Sequence, residues 1–507
     1  MNKYILALIT SVIVVCTYYL SPFFSFFIFI PIFILLEKEK TKRNVITIYL
    51  HFFLFNLIST YWLANVQLKE GILTWLVNSL LMTLIAIITI LVTKKNKGIH
   101  LIFISFWMSF EVIHHLWVFN WPLLSLGNIF CTNTKYIQWY KFTGMEGGTL
   151  WILLINYVFF KILQKKEISK FIFSLTLIIF PIIISLYLFK KENTFTQTQN
   201  IIITQPNANT TKIYHDELNI LKKIYDTISQ MKIIEPTILL LPETFIKESV
   251  LNNRTQDCRA LQYIENKKLN IKNISTITGI IVKKTDYYKI LSLANKKMNS
   301  FDTYDAAMYL SSKYKTQVHF KSKLIPVEEY LPNALTGFGF KSDNFSLGND
   351  YQSFKINDSL DLSTGICYEI IFGHSIAEMV TEKTGAILMI ANEQLLSGEV
   401  EKAFYTNISK LRAIENGKYL VKSSNTGLSG IINEKGEIVY KLDDNKFGLA
   451  NISVPLLKEK TFYTRHYSKI NYLIIMQGFL MLFIQAIRKT NLLIKFKSFI
   501  LPTEKTR

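Results

Sequence analysis

Long apolar segments fill the first 190 residues of this 507-residue chain and leave it few ways to fold. Seven stand there and an eighth lies near the C-terminus: Tyr4–Leu20, Phe23–Leu36, Val45–Leu63, Ile72–Val92, Ile99–Phe119, Leu150–Ile162, Phe171–Leu188 and Ile470–Ile487. About 20 apolar residues in a helix cross a bilayer, because the helix satisfies its own backbone hydrogen bonds. The pattern predicts a membrane α-helical bundle of about eight spans. The second and sixth segments are short, so we expect them to be tilted or partly interfacial.

The positions of lysine and arginine predict how these spans are oriented, since basic residues beside a span are retained in the cytoplasm. The second, fourth and sixth connections are rich in them: Lys38, Lys40, Lys42, Arg43, Lys94, Lys95, Lys97, Lys161, Lys165, Lys166 and Lys170. The third carries Lys69 alone, and the fifth carries Lys135 and Lys141. No cleavage site follows the first segment, so we expect it to be retained. Both termini are therefore predicted to be cytoplasmic, with roughly residues 190–469 outside.

Composition limits the partners that the chain can have. It is 50% hydrophobic with a net charge of +20, and the basic residues flank apolar segments rather than forming an arginine-rich stripe. This arrangement favours anionic lipid headgroups and argues against nucleic acid. Cys16 is expected to pack within an apolar helix and Cys131 and Cys258 to lie in polar connections. With neither paired cysteines nor a phosphate-binding glycine loop, we predict no metal and no cofactor.

The fifth apolar segment contains three ionisable residues, Glu111, His114 and His115. Such residues inside a span suggest a metal site or a proton relay. Adjacent histidines, however, point to different faces of a helix. We therefore expect polar packing near the outer headgroups.

From residue 200 onward, short strand-like runs alternate with helical stretches. The predicted strands are Ile201–Thr204, Thr237–Leu241, Thr276–Val282, Met308–Leu310, Leu360–Ile366, Ala386–Ala391, Tyr419–Lys422, Gly430–Ile432 and Leu449–Ile452. The predicted helices include Asp216–Met231 and Glu401–Asn416. This is the pattern of an α/β domain with two sheets. The predicted domains are a membrane domain over 1–190, an extracytoplasmic domain over 191–468, and a last span and tail over 469–507.

Three residues near the ends of apolar runs have side chains suited to acyl transfer: Glu243, Lys321 and Cys367. Loops at strand ends carry function on a rigid scaffold. Each residue also has an ordinary explanation: a glutamate at a helix start, a solvated lysine and a buried inert thiol. A carboxylate, an ammonium and a thiol in one pocket would make a cysteine nucleophile.

The segments Leu-Pro-Glu-Thr around Glu243, Lys-Ser-Lys-Leu-Ile-Pro from Lys321 and Cys-Tyr-Glu from Cys367 resemble those of the nitrilase, or carbon-nitrogen hydrolase, superfamily. The resemblance implies an αββα sandwich and a Glu-Lys-Cys triad, with Glu243 as general base, Lys321 as transition-state lysine and Cys367 as nucleophile. Glu329 matches a further essential glutamate, and Tyr368 and Glu369 match the pair after the cysteine. The leading spans, with Tyr61–Asn65, Trp107–Glu111 and Trp121–Leu124, resemble the apolipoprotein N-acyltransferase family.

The chain departs from the family pattern at several positions near the expected site. Tyr214 stands where the family usually has tryptophan, the stretch from Ala391 to Gly398 replaces Asn-Asp-Ala-Trp-Phe-Gly, and Pro326 to Glu329 replaces Pro-Phe-Gly-Glu. Phe338 and Phe340 belong to an apolar, glycine-containing segment past Glu329 that could touch lipid or could simply pack on the domain. These features bear on substrate contacts more than on the triad.

The family resemblance implies a reaction and two alternatives to it. The implied reaction is phospholipid-dependent N-acylation of the diacylglyceryl-modified N-terminal cysteine of an apolipoprotein, through a thioester on Cys367, at the bacterial inner membrane. A membrane-tethered amidase would use the same three residues but would leave the spans unexplained. A scaffold that has lost activity through the changes at Leu395–Ser397 is the other alternative.

Overall fold

The computed structural model describes residues 3–37, 42–93, 98–117, 120–165, 168–192, 194–195, 197–208, 210–251, 257–271, 273–285, 301–331, 342–349, 351–396 and 398–500. It describes only the backbone of 3–4, 42–43, 165, 168, 170, 210–216, 268–270, 285, 301 and 489–500. The chain forms two compact units. The first comprises Met1–Ile137, Met145–Ile184 and His466–Arg507, and the second Gln138–Gly144 and Ser185–Arg465.

Helices account for the regular structure of the first unit. The α-helices in and leading from it are Lys3–Val15, Ile30–Glu37, Lys42–Ser59, Leu63–Val66, Leu68–Val92, Ile99–His114, Tyr140–Lys165, Ile168–Lys190 and Phe462–Ile500. Among the described residues, four apolar stretches are long enough to cross a bilayer: Leu68–Val92, Tyr140–Gln164, Phe171–Lys190 and Phe462–Arg488. Four shorter apolar helices match the remaining predicted segments. The membrane-helical class is confirmed, and the count of about eight spans stays a prediction.

Two predicted spans have different lengths in the structure. The sixth segment, expected to be short at Leu150–Ile162, belongs to the helix Tyr140–Lys165. The prediction left out the polar and glycine-rich beginning of this helix, which contains a kink at Gly144. Gly144 has φ 67°, a conformation that costs glycine little because it lacks a Cβ. The fifth segment was expected to reach Phe119, but its helix ends at His114.

Several buried polar side chains of the first unit are paired within it, as a bilayer favours. Glu111 accepts hydrogen bonds from Trp107 Nε1 at 2.8 Å, Leu126 N at 3.1 Å and Thr149 Oγ1 at 2.6 Å. His115 Nε2 lies 2.9 Å from Ser125 Oγ. These contacts agree with the expected polar packing.

The second unit contains two sheets. The first has the order β13-β1-β2-β4-β5-β6, with β3 paired to β4, and the second has the order β12-β11-β10-β9-β8-β7. The strands are β1 Thr198–Gln205, β2 Thr237–Leu240, β3 Ile246–Leu251, β4 Ile274–Thr285, β5 Phe301–Leu310, β6 Gln317–Phe320, β7 Ser353–Asn357, β8 Leu360–Ile366, β9 Thr384–Ala391, β10 Leu420–Ser424, β11 Gly430–Ile432, β12 Ile438–Lys441 and β13 Gly448–Pro455.

The sheets face each other and carry helices on their outer faces. Helices Thr210–Ser229 and Arg259–Asn270 pack on the first sheet through an apolar cluster that includes Leu221, Leu239 and Leu261. Helices Gly373–Met379 and Glu399–Asn416 pack on the second. Between the sheets, Ser423 Oγ donates to the Leu240 carbonyl at 2.9 Å, and the rings of Tyr309 and Phe354 stack at 5.8 Å. The predicted αββα sandwich is confirmed, while the domain boundaries remain a prediction.

Several elements of this unit were not predicted. They are β3, β6, β7, β12 and the helices Arg259–Asn270 and Gly373–Met379. Strand β5 was predicted only at its end, Met308–Leu310. Cys131 and Cys258 lie in connections between the main elements, as expected, and both are buried. Burial raises the pKa of Cys258 to about 11, which makes it an inert packing thiol.

Candidate active site

Glu243 stands in the loop that follows β2. The apolar run Leu239–Leu241 is buried. The loop after it therefore places the Glu243 carboxylate at the end of strand β2. The loop crosses β4 closely at Gly279, whose N donates to the Pro242 carbonyl at 3.0 Å. A Cβ on Gly279 would lie 2.5 Å from Glu243 Cα, so this position requires glycine. The Glu243 side chain is 6% exposed.

Lys321 follows β6 and is completely buried. Its Nζ lies 2.7 Å from Glu243 Oε1, 2.6 Å from Glu329 Oε1 and 3.3 Å from Asp305 Oδ2. Its backbone N also donates to the Asp305 carbonyl at 2.9 Å. One ammonium is therefore held among three carboxylates.

The excess of carboxylates sets the protonation of the cluster. Burial alone would lower the pKa of Lys321, but Glu243, Glu329 and Asp305 together raise it well above its ordinary value. Burial raises the pKa of Asp305 to about 8, even though Lys321 opposes the shift. Burial likewise raises the pKa of Glu329. Lys321 therefore stays charged at neutral pH, while the site can retain a proton on a carboxyl.

Cys367 is the first residue after β8 and begins the short 3-10 helix Cys367–Ile371. Its φ of 44° lies in the left-handed region, which is uncommon for a residue with a side chain. This turn lifts the thiol out of the strand direction. Burial and the charge of Glu243 raise the pKa of the thiol well above its usual range, and Lys321 acts in the opposite direction. The resting sulfur is a thiol, so attack requires a base.

Glu369 links the Lys321 segment to the Cys367 turn. Its Oε1 accepts from both N and Oγ of Ser322 at 2.7 Å, and its Oε2 accepts from Ile366 N at 2.8 Å. The His319 ring lies 3.1 Å from Oε2. Burial would raise the pKa of Glu369, but His319 and Ser322 hold it below its ordinary value. Glu369 thus bridges the two sheets as an ionised carboxylate.

Two further positions complete the surroundings of the base. Asn392 N, just past β9, donates to Glu243 Oε2 at 2.9 Å. The next residue, Glu393, forms a buried ion pair with Lys422 of β10. Lys422 is inaccessible to solvent and Glu393 is 1% exposed.

The structure brings most of the predicted site residues together. Glu243, Lys321 and Glu329 are in direct contact, and the charges of all three act on the Cys367 thiol. Tyr368 is buried against the edge of the Phe372 ring, with centroids 5.3 Å apart. Three predicted substrate contacts are not placed: Tyr214 lies in helix Thr210–Ser229 with its side chain undescribed, and Phe338 and Phe340 lie outside the described residues.

Sequence reasoning missed Asp305, Asn392, Glu393 and Lys422 as contributors to the site. The signal for Asp305 was a carboxylate directly before the apolar run 306–310 of β5. That for Lys422 was a lysine inside the predicted strand Tyr419–Lys422. A charge in the middle of a buried strand needs a partner of opposite sign, and each of these has one.

The carboxylates of Glu243, Asp305 and Glu329 also have the spacing of a cation site, with oxygen atoms within 4.8 Å of one another. The Lys321 ammonium lies within 3.3 Å of an oxygen of each of them. The Lys321 ammonium therefore places one positive charge among these oxygens.

Two family models match the chain, one on each side of residue 190. The apolipoprotein N-acyltransferase N-terminal domain matches residues 10–158, and the carbon-nitrogen hydrolase domain matches residues 208–459. The chain belongs to the apolipoprotein N-acyltransferase family of the nitrilase superfamily. In this family member the second model covers all the site residues described above.

Curated relatives carry the same family name. The chain is 28% identical over 344 residues to apolipoprotein N-acyltransferase of Wigglesworthia glossinidia brevipalpis, covering 67% of this chain and 66% of that protein. It is 31% identical over 152 residues to that of Pasteurella multocida, covering 29% of each. It is 26% identical over 312 residues to that of Aquifex aeolicus, covering 60% of this chain and 64% of that protein. The chain therefore spans no more than 66% of these relatives.

Solved structures in the nitrilase superfamily are similar to part of the chain. A superfamily member from Saccharomyces cerevisiae is 13% identical, with a TM-score of 0.38, covering 55% of this chain and 97% of that one. A mutant amidase from Nesterenkonia is 14% identical, with a TM-score of 0.38, covering 55% of this chain and 98% or more of that one.

Proposed function

We propose that this protein moves an acyl chain from a phospholipid to the α-amine of the diacylglyceryl-modified N-terminal cysteine of an apolipoprotein. The observation that carries the proposal is the buried contact of Glu243 with Lys321, beside the Cys367 thiol, in a member of this family. The proposed location is the bacterial inner membrane, with the second unit on the outer face and both termini in the cytoplasm.

In the first half-reaction, Glu243 takes the thiol proton as Cys367 attacks the carbonyl carbon of a phospholipid ester. Lys321 stabilises the negative charge that develops on the carbonyl oxygen, since its raised pKa keeps it an ammonium. The tetrahedral intermediate then expels the lysophospholipid alkoxide, which takes the proton from Glu243. The acyl chain remains as a thioester on Cys367.

In the second half-reaction, the α-amine of the acceptor attacks the thioester carbon. An α-amino group has a pKa near 8, so part of it is neutral and nucleophilic at physiological pH. Glu243 takes the proton that the amine loses and returns it to the departing sulfur. The products are the amide and the free thiol, as in ping-pong kinetics.

Water would compete with the amine for the thioester. The burial of Glu243, Lys321 and Cys367 supports a site that limits this side reaction. Tyr368 and Glu369 are proposed to hold the Cys367 turn, and Glu329 is proposed to hold Lys321. Tyr214, Phe338 and Phe340 remain proposed substrate contacts.

The test is acyl-enzyme formation by the purified full-length protein in detergent with an acyl-labelled phospholipid. We expect one hydroxylamine-sensitive label per chain, lost in Cys367→Ser and retained in the matched control Cys258→Ser. A diacylglyceryl peptide with a free amine should then remove the label as an amide. Absence of the label together with hydrolysis of a small amide would overturn the proposal in favour of an amidase. Inactivity towards both substrates would indicate a scaffold.

A further inference from the structure

A group of lysines and aromatic residues gathers where helix Ile168–Lys190 leads into the second unit. Lys141, Lys191 and Lys435, here called the basic surface, come from three separate parts of the chain. Lys191 follows the helix directly. Lys141 lies in the segment Gln138–Gly144, and Lys435 lies in the turn between β11 and β12.

Hydrogen bonds within the second unit hold these parts together. Gln138 N donates to Ser185 Oγ at 2.6 Å, which fixes the segment before Lys141 to the end of the helix. Gln138 Nε2 donates to the Lys435 carbonyl at 2.9 Å. Lys435 Nζ lies 5.8 Å from the centre of the Phe189 ring. The charges of Lys191 and Lys435 both act on Lys141, so the three ammonium groups share one region.

The position of the helix end sets the level of this surface relative to a bilayer. The apolar stretch Phe171–Lys190 is long enough to cross the hydrocarbon, so its last residues lie at the headgroups. Lys435 lies against Phe189 and therefore lies at the same level. Two exposed apolar side chains lie close to these lysines in the sequence: Phe142, next to Lys141, is 43% exposed, and Val439, four residues after Lys435, is 53% exposed. Apolar side chains beside lysines are typical of a membrane interface.

The charge of the surface identifies the kind of ligand. Of the charges that act on Lys141, two are the ammonium groups of Lys191 and Lys435 and one is the carboxylate of Glu434. In the predicted topology this surface lies at the extracytoplasmic face of the bilayer. A net positive group at headgroup level attracts anionic phospholipid.

We infer that the basic surface binds the headgroup of an anionic phospholipid and so holds the second unit against the bilayer. Each ammonium can donate to phosphate oxygens, while Phe142 lies among the upper acyl carbons. The inference goes beyond the proposed acyl transfer, because none of these residues belongs to the Cys367 site.

The test uses the full-length Cys367→Ser protein in phosphatidylcholine nanodiscs that contain spin-labelled phosphatidylglycerol. Electron paramagnetic resonance measures the immobilised fraction of labelled lipid, which gives its affinity relative to phosphatidylcholine. The triple variant Lys141→Gln, Lys191→Gln, Lys435→Gln should lose about tenfold or more of that preference, since each lysine near a surface contributes about fivefold. The matched control changes three exposed lysines of the same unit, Lys232, Lys313 and Lys383, to glutamine.

The outcomes separate lipid from other anions. A loss confined to the first variant, and weakened by salt, supports the headgroup site. An equal loss in both variants, or no loss, overturns it. If inorganic phosphate displaces the labelled lipid as well as phosphatidylglycerol does, the surface is a free-anion site and the inference fails. Because the background lacks the Cys367 thiol, failure of this test leaves the proposed acyl transfer unaffected.

Discussion

Two lysines, Lys321 at the end of the first sheet and Lys422 in the second, are both inaccessible to solvent but have different partners. Lys422 is paired with the single carboxylate of Glu393, a balanced pair of the kind that buried charges require. Lys321 is surrounded by three carboxylates. Burial of a charge therefore does not by itself mark a catalytic group. Around Lys321, burial raises the pKa values of the Cys367 thiol and of Asp305, and the charge of Glu243 adds to both shifts, so the unbalanced cluster is the one suited to catalysis.

Replacing the two lysines in turn tests whether the unbalanced and the balanced site differ in function. Lys321→Met should lower acyl transfer at least about 10³-fold, since it removes both the charge facing the developing oxyanion and the partner of three carboxylates. Lys422→Met should lower it by about tenfold or less. Each change should destabilise the fold by about 3–5 kcal/mol, because it leaves a buried charge unpaired. Thioester formation and thermal unfolding measure the two effects separately. Equal loss of activity in both variants would remove the distinction.

Glu243→Gln should separate the two roles of the carboxylate. Turnover should fall about 10²–10⁴-fold with the loss of the base. The pKa of Cys367 should fall at the same time, because the charge of Glu243 raises it. The pH dependence of alkylation by iodoacetamide, with the other three cysteines replaced by alanine, measures this pKa. The exposed Glu382→Gln serves as the control. A rise or no change in the thiol pKa would contradict the assigned electrostatics.

Substitutions at Glu393 test what the balanced ion pair with Lys422 contributes to turnover. Glu393→Gln should cost about tenfold in turnover, because it loosens the loop whose Asn392 N binds Glu243. Glu393→Asp retains the charge and should recover most of the loss. The pH profile of turnover should move in the first variant and not in the second. Identical profiles and identical rates in the two variants would indicate that the pair acts on folding alone.

Asp305→Asn should have the smallest effect on turnover and a distinct effect on stability. Burial raises the pKa of Asp305 from 3.8 to about 8, so its neutral form stabilises the fold at low pH and this contribution is lost as the pH rises through 8. The asparagine variant mimics the neutral form. As the pH rises from 5 to about 8.5, the Tm of the variant should therefore rise relative to that of wild type. The rise should be about 2–4 °C for each kcal/mol by which the free energies of unfolding of the two proteins differ. The opposite trend would mean that Lys321 keeps Asp305 ionised.

Local pattern was sufficient for some parts of this molecule. Short apolar runs predict buried strands. The run Leu239–Leu241 and the run that ends at Ile366 correctly predicted the strands before Glu243 and Cys367. The family resemblance, confirmed by the two family matches, supplied the αββα sandwich and the family's residue pattern.

Other parts depend on contacts between distant residues. Asp305 is a buried carboxylate of β5, and Lys321, which the pairing of β5 with β6 brings beside it, stabilises its burial. Strand β12 escaped prediction because its side chains are exposed on both faces. The beginning of helix Tyr140–Lys165 was missed because residues 140–149 include polar residues and glycines. Such features follow from tertiary pairing, which local periodicity does not record.

Burial of the thiol at the Cys367 turn should slow its oxidation in the proposed compartment. Oxidants and disulfide exchange attack the thiolate form of a cysteine, and a buried sulfur with a raised pKa offers very little of it. An idle molecule should therefore withstand an oxidising surrounding without a protective partner. The same property should make soft electrophiles poor inhibitors and favour compounds that present an ester-like carbonyl, since these recruit the base during attack.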